Sequence, residues 1–203
     1  MTNSEFLREV SYDGMNYVCP SWDQMGDYTF ELAQKIIDSG QNFDRVVALA
    51  KGGWTWSRTL VDFLNIDKLS STRLQSYEAV NQANRVRVVQ PLSDPVDKEN
   101  VLIFDEVIDS GETIIKAREY VELLGAQEIA VATLCYKPRS KVIPEFYAFS
   151  TDAWVVFPHN HREFIEDRWK KWSKESVPAE MIKSRLIDIG LPKNRVEYFA
   201  PKK

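Results

Sequence analysis

Val101-Leu102-Ile103-Phe104-Asp105-Glu106-Val107-Ile108-Asp109-Ser110-Gly111-Glu112-Thr113 decides how this chain is read. Val101 to Phe104 is a short, continuous apolar run of the kind that forms a parallel strand covered on both faces. It delivers Asp105 and Glu106 at its carboxyl end, where open α/β sheets take their ligands. Asp109 to Thr113 then turns into the amino terminus of a helix predicted over Thr113–Leu124 and stopped by Gly125. Free backbone N–H groups there, the hydroxyls of Ser110 and Thr113, and the close approach allowed by Gly111 make a cradle for phosphate. An acidic pair beside an anion is repulsive unless a polyol, a cation or both lie between, and a ribose carrying magnesium meets that demand. A strand-turn-helix with acidic capping residues alone would not need the strand-end acids.

Working outward, Arg45 to Ala50 (RVVALA) is a second buried strand, ending in Lys51-Gly52-Gly53 and followed by a predicted helix over Trp54–Leu64. Two glycines let backbone N–H groups face an anion, and Lys51 adds a charge. Ser21-Trp22-Asp23-Gln24 is a capping-box pattern opening a first helix closed by Gly40. A strand near 68–76 leads into Tyr77–Gln90, read as a long mobile loop or loose hairpin and a candidate lid. Ile129–Tyr136 is a further strand. Residues 137–158 read as short, proline-punctuated pieces of a small cap, and 162–203 as charged helices broken at Pro178 and Pro192. The expected fold is therefore α/β: a mainly parallel twisted sheet flanked by helices, with a small hood and a helical C-terminal extension. The expected division is a core with hood over 1–160, its hood elements near 1–20 and 137–160, and an extension over 161–203.

Composition narrows the classes. A hydrophobic share of 44% with 28% charged residues fits a soluble globular chain, and no apolar run is long enough to span a bilayer. The first ten residues lack a secretory pattern, so the expected compartment is the cytoplasm. A net charge of −4 offers no general attraction for nucleic acid, so anion binding must be local. Cys19 and Cys135 read as core or edge residues, and His159 and His161, lacking a third ligand nearby, as surface residues rather than a metal site. No GxxxxGK[ST] loop is present.

The run from Val101 to Thr113 resembles the signature of the type I phosphoribosyltransferases: four apolar residues, an acidic pair, two apolar residues, then an acid and a small-residue phosphate loop. One departure is Glu106, where the family usually has aspartate. Ala50-Lys51-Gly52-Gly53 resembles the pyrophosphate loop of the purine members, which implies a cis peptide before Lys51. Ser76-Tyr77 resembles the pair on the catalytic loop that closes over the reaction. Tyr136-Lys137-Pro138 and Asp152 to Pro158 resemble the hood of bacterial and archaeal xanthine-guanine enzymes.

The resemblance implies transfer of phosphoribosyl from phosphoribosyl pyrophosphate (PRPP) to a purine, giving a nucleoside monophosphate and pyrophosphate in purine salvage. It implies Asp105 and Glu106 on the ribose, Asp109 as acid or base at the purine, and Asp109 to Thr113, including Glu112, on the 5-phosphate. It further implies Ala50, Lys51, Gly52 and Gly53 on the pyrophosphate, Ser76 and Tyr77 as catalytic-loop residues, and Lys137, Trp154, Val155 and Asn160 on the base. Mg2+ is implied as cofactor, bound mainly through PRPP and through Asp105 and Glu106, and a homodimer as the assembly, to which the late tryptophans would contribute. Lysine offers only donors, which suits a 6-oxopurine. Asn160 stands where relatives carry a carboxylate, which leaves adenine as the alternative. A non-catalytic PRPP or nucleotide sensor on the same fold is the other reading. An orotate or uracil enzyme is disfavoured by the hood.

Overall fold

The computed structural model describes residues 7–79 and 82–201, the side chains of 76–86 excepted. In chain order the elements begin with β1 (Glu9–Tyr12), β2 (Met15–Val18), α1 (Trp22–Asp38), β3 (Arg45–Leu49) and α2 (Trp54–Leu64). There follow β4 (Lys68–Ala79), β5 (Gln82–Gln90), β6 (Asn100–Ile108), α3 (Glu112–Leu123) and β7 (Glu128–Tyr136). The chain closes with β8 (Phe146–Ser150), β9 (Trp154–Val155), α4 (His161–Lys174), α5 (Ala179–Ile189) and α6 (Lys193–Phe199). These form two compact units, Met25–Thr151 and Met1–Gln24 with Asp152–Lys203.

In the larger unit the sheet order is β5-β4-β3-β6-β7-β8, with every neighbouring pair parallel except β4 and β5. All five residues of β3 are buried, as a strand covered on both faces requires. Val47, Leu49, Val101, Ile103 and Val131 pack with Ile114, Ala117 and Val121 of α3. Val46, Ala48, Leu102 and Phe104 alternate with them, so their equally buried side chains point to the opposite face. Each such burial contributes about 1.5–3 kcal/mol. β3 and β6 lie side by side in register Arg45↔Val101 to Ala48↔Phe104. From β3 the chain crosses through α2 to β4 on one side, and from β6 through α3 to β7 on the other. The carboxyl ends of β3 and β6 are thus the point where the strand order diverges, the place where doubly wound sheets open a crevice.

In this unit two expectations change and one choice between alternatives is decided. The acidic pair lies within β6, which runs on to Ile108 instead of ending at Phe104. Of the two readings of the stretch after Ser76, the hairpin holds: β4 and β5 pair antiparallel, the ladder running from Arg73↔Gln90 to Ala79↔Gln82. Phe146–Ser150, expected in the cap, is a parallel edge strand of the main sheet, where Phe146 packs edge-on against Phe43 at 6.4 Å and Phe149 lies 4.6 Å from Tyr28.

The smaller unit contains a three-stranded sheet, β1-β2-β9, and α4 to α6. Its hairpin turns on Asp13-Gly14, both at positive φ, the Asp-Gly combination that matches strand twist in a two-residue turn. The Asp13 carboxylate accepts from Trp172 Nε1 at 2.7 Å and from Arg185 at 3.0 Å. Tyr17, Val156, Phe164, Ile165, Trp172, Ile182, Leu186 and Val196 form one core. The C-terminal helices therefore share that core with β1, β2 and Val156, next to β9, and the two compact units divide between Thr151 and Asp152. Trp172, counted from sequence toward an interface, is fully buried here. At the start of α1, Ser21 and Gln24 exchange the two hydrogen bonds of the capping box, at 2.8 and 3.1 Å. Among the described residues no helix is long and apolar enough to cross a membrane.

Candidate active site

Two loops meet at the carboxyl ends of β3 and β6. The first is Ala50 to Gly53, with a cis peptide between Ala50 and Lys51. A Cβ on Gly52 would sit 2.6 Å from the Glu106 carboxylate, so the absence of a side chain at 52 lets the loop lie against the acidic pair. Lys51 is exposed. Gly53 begins α2 without a side-chain cap; its own N–H donates to Leu49 O at 2.9 Å and that of Trp54 to Lys51 O at 3.1 Å.

The second loop is Asp109 to Thr113. Gly111 has φ +84, which L side chains rarely adopt, and a Cβ there would meet Ser140 Oγ at 2.8 Å and Val142 N at 3.1 Å. No side chain caps α3 from Gly111, although the Glu112 N–H reaches Ser110 Oγ at 3.4 Å. A small depression of about 120 Å³ is lined by Asp105, Asp109, Ser110, Gly111 and Thr113, together with Val107, Ile108 and Ile114. Two helix starts without side-chain caps thus follow adjacent strands, the general setting in which helix dipoles favour anions.

Between these helix starts stands the acidic pair. Asp105 accepts from the Glu106 N–H at 2.9 Å. Loss of water pushes its carboxyl up to about 8, the Glu106 charge adds to the rise, and backbone N–H groups of Glu106 and Gly53 oppose it. Glu106 itself is buried. A carboxyl held in that state is ready to meet hydroxyls or a cation, either of which relieves the repulsion. Among the described residues no cluster of three or more metal-ligating side chains occurs.

Asp109 is exposed, and its Oδ1 accepts from Arg139 at 2.6 and 3.1 Å. Arg139 belongs to a segment that folds back over the phosphate loop: the Lys141 N–H donates to Ser110 O at 3.1 Å, and Lys141 Nζ lies 3.0 Å from Glu112. Sequence reading passed over Arg139, Ser140 and Lys141. The signal was present in Lys137-Pro138-Arg139-Ser140-Lys141, a basic cluster just beyond the carboxyl end of a strand parallel to β6.

The remaining expected residues are distributed as follows. Lys137 is buried in the larger unit, its N–H donating to Ile108 O at 2.8 Å. Ser76 and Tyr77 lie on β4, paired with Val86 and Arg85, but their side chains fall outside the described residues. Trp154, Val155 and Asn160 belong to the smaller unit, with Trp154 exposed, Val155 buried and Asn160 opening α4. His161, expected at the surface, is buried: burial, then the charges of Arg195 and His159, push its pKa down to about 4, so it is neutral.

A family model described as "Phosphoribosyl transferase domain" matches residues 21–163. A xanthine-guanine phosphoribosyltransferase of Vibrio parahaemolyticus is 30% identical over 140 residues, which is 68% of this chain and 85% of that protein. A solved purine phosphoribosyltransferase from Pyrococcus horikoshii superposes with a TM-score of 0.63 at 31% identity, covering 70% of this chain and 92% of that one. A Neisseria gonorrhoeae protein solved with bound ppGpp gives 0.64 at 27% identity, covering 71% and 89%.

Proposed function

This chain belongs to the phosphoribosyl transferase family, and from that premise we propose that it moves the 5-phosphoribosyl group of PRPP onto a purine, releasing pyrophosphate. The observation that carries the reading is the juxtaposition at the switch point: two uncapped helix starts flanking Asp105 and Glu106 on adjacent strands. PRPP has the matching order of groups, a phosphate, a diol and a pyrophosphate.

In this reading the α3 start, Asp109 to Thr113, holds the 5-phosphate, and Ala50 to Gly53 with the exposed Lys51 hold the pyrophosphate. Asp105 and Glu106 orient the ribose hydroxyls. Asp105 and Glu106 are the residues that would face magnesium carried by PRPP, which would supply charge neutralisation for the departing pyrophosphate. As the anomeric bond opens, fixed N–H groups at both loops stabilise charge without having to reorient. Asp109 leaves Arg139 and handles the proton at the purine ring nitrogen. Ser76 and Tyr77 are assigned to the loop that excludes water, and a homodimer to the assembly, both by family resemblance.

The base is a 6-oxopurine in this reading, since Lys137 only donates, with Trp154, Val155 and Asn160 as further base contacts. The names of the Vibrio and Pyrococcus relatives support a purine. Adenine is the alternative, because an Asn160 amide both donates and accepts. A nucleotide-sensing role is the second reading, favoured by the Arg139 pair that occupies Asp109 and by the ppGpp bound to the Neisseria relative.

The test is pyrophosphate release from PRPP and magnesium with hypoxanthine, guanine, xanthine and adenine supplied singly, alongside Asp109→Asn. Turnover of one purine that collapses in the variant is expected. Tight PRPP binding with no turnover of any base would hand the argument to the sensor.

A further inference from the structure

Arg195 lies in α6, beyond residue 163 where the family match ends. Its guanidinium donates to the carbonyl oxygen of Pro158 at 3.1 Å and to Nδ1 of His161 at 2.8 Å. Arginine has no acceptor, so Nδ1 is the bare ring nitrogen and the His161 proton sits on Nε2, which faces Cys19 Sγ at 3.8 Å. This is not an activated thiol pair: burial pushes the Cys19 pKa up to about 11, so the sulfur stays protonated at neutral pH. A neutral imidazole locked in one tautomer between a cation and a thiol is a strut.

The strut ends on a functional stretch. Pro158 and His161 bracket His159-Asn160, and the Asn160 N–H closes the turn onto Phe157 O at 3.1 Å. Immediately before it, Val156 N–H donates to Val18 O at 2.8 Å, fixing the strand that carries Trp154 and Val155. At its other end α6 is anchored by Val196, fully buried in the core of the smaller unit, and by Phe199 beneath the Arg162 guanidinium at 5.6 Å. One planar side chain thus ties the C-terminal helix, held in the core through Val196, to both sides of His159-Asn160.

We propose that Arg195 is a positioning residue for base recognition: through Pro158 and His161 it sets the turn that presents Asn160, so the C-terminal helices tune selectivity for the base. This rests on the reading that residues 154–160 meet the purine.

Full-length wild type, Arg195→Met and Arg195→Lys would be compared in steady-state kinetics with the accepted purine and PRPP varied separately. A rise in KM for the purine on the order of ten- to a hundredfold in Arg195→Met, with KM for PRPP unmoved and partial recovery in Arg195→Lys, is expected from misplacing one contact loop. Parallel rises in both KM values, or no change in either, overturn the proposal. Amide exchange over 157–164 in the same proteins reads the strut without turnover, and exchange on the order of tenfold faster in Arg195→Met is expected. Unchanged exchange there also overturns it. A wild-type chain that accepts no purine sinks the functional reading instead, and the exchange comparison still decides whether Arg195 holds the turn. Should Arg195→Met fail to fold, Arg195→Lys carries the same two comparisons.

Discussion

The two ends of the β3–β6 strand pair treat charge in opposite ways. At the amino end Arg45, mostly buried, donates to Glu99 at 2.6 Å and to Ser70 Oγ at 2.5 Å, while Lys68 reaches Glu99 at 2.6 Å. The Arg45 hydrogen bond, joined by that of Lys68, pulls the Glu99 carboxyl down to about 2. At the carboxyl end two carboxyls stand side by side, and loss of water together with the Glu106 charge pushes Asp105 up to about 8. The same two strands thus carry a satisfied network at one end and electrostatic stress at the other. Stability is served where charges are matched, and a site is expected where they are not.

The contrast can be broken from either end. The largest effect is expected from Asp109→Asn, which removes the group proposed to handle the proton and should lower kcat on the order of 10²–10⁴-fold while melting with wild type, as measured by the pyrophosphate assay and thermal unfolding. At the amino end, Arg45→Met strips Glu99 of its buried partner and should cost about 3 kcal/mol in urea unfolding, with KM values for both substrates unchanged.

The two ends should also respond to pH with opposite sign. Asp105 has a higher pKa folded than unfolded, so its contribution is whole below the unfolded value and lost as pH rises toward about 8. Ligand-free protein should lose up to about 1.4 kcal/mol per pH unit from this group, and Asp105→Asn should flatten that limb of a Tm-versus-pH curve. Glu99 has a lower pKa folded than unfolded, so its stabilisation holds above the unfolded value and disappears as pH falls toward about 2. A curve for Asp105→Asn still falling between pH 6 and 9 at the wild-type slope would remove the contrast. The smallest effect belongs to Arg139→Gln: an exposed pair contributes within about 0.5 kcal/mol, so stability should hold, while the apparent affinity for substrate should change as Asp109 is released.

Legibility followed the range of the interactions. Helices and buried strands around Val101–Thr113 were readable because their apolar runs and glycine stops act within a few residues. The Asp13-Gly14 hairpin was readable in principle and passed unread, since two four-residue strands carry little pattern. Phe146–Ser150 was missed as sheet because only Phe146 is fully buried, so an edge strand of aromatics looks like a cap. The Arg139–Asp109 pair spans 30 positions and depends on how the segment after β7 folds back. His161 was misplaced because its burial is created by α6, far along the chain.

By itself the sequence determined the two loop-to-helix transitions and the α/β class, since each depends on periodicity, glycine placement and caps within a short window. Tertiary structure alone decided that β3 and β6 are neighbours with diverging connections, so that Gly52 lies against Glu106 and the loops after the two strands come together. It also decided which charges are matched, because the cost of a buried carboxylate depends on which cations and N–H groups the fold brings within a few ångströms.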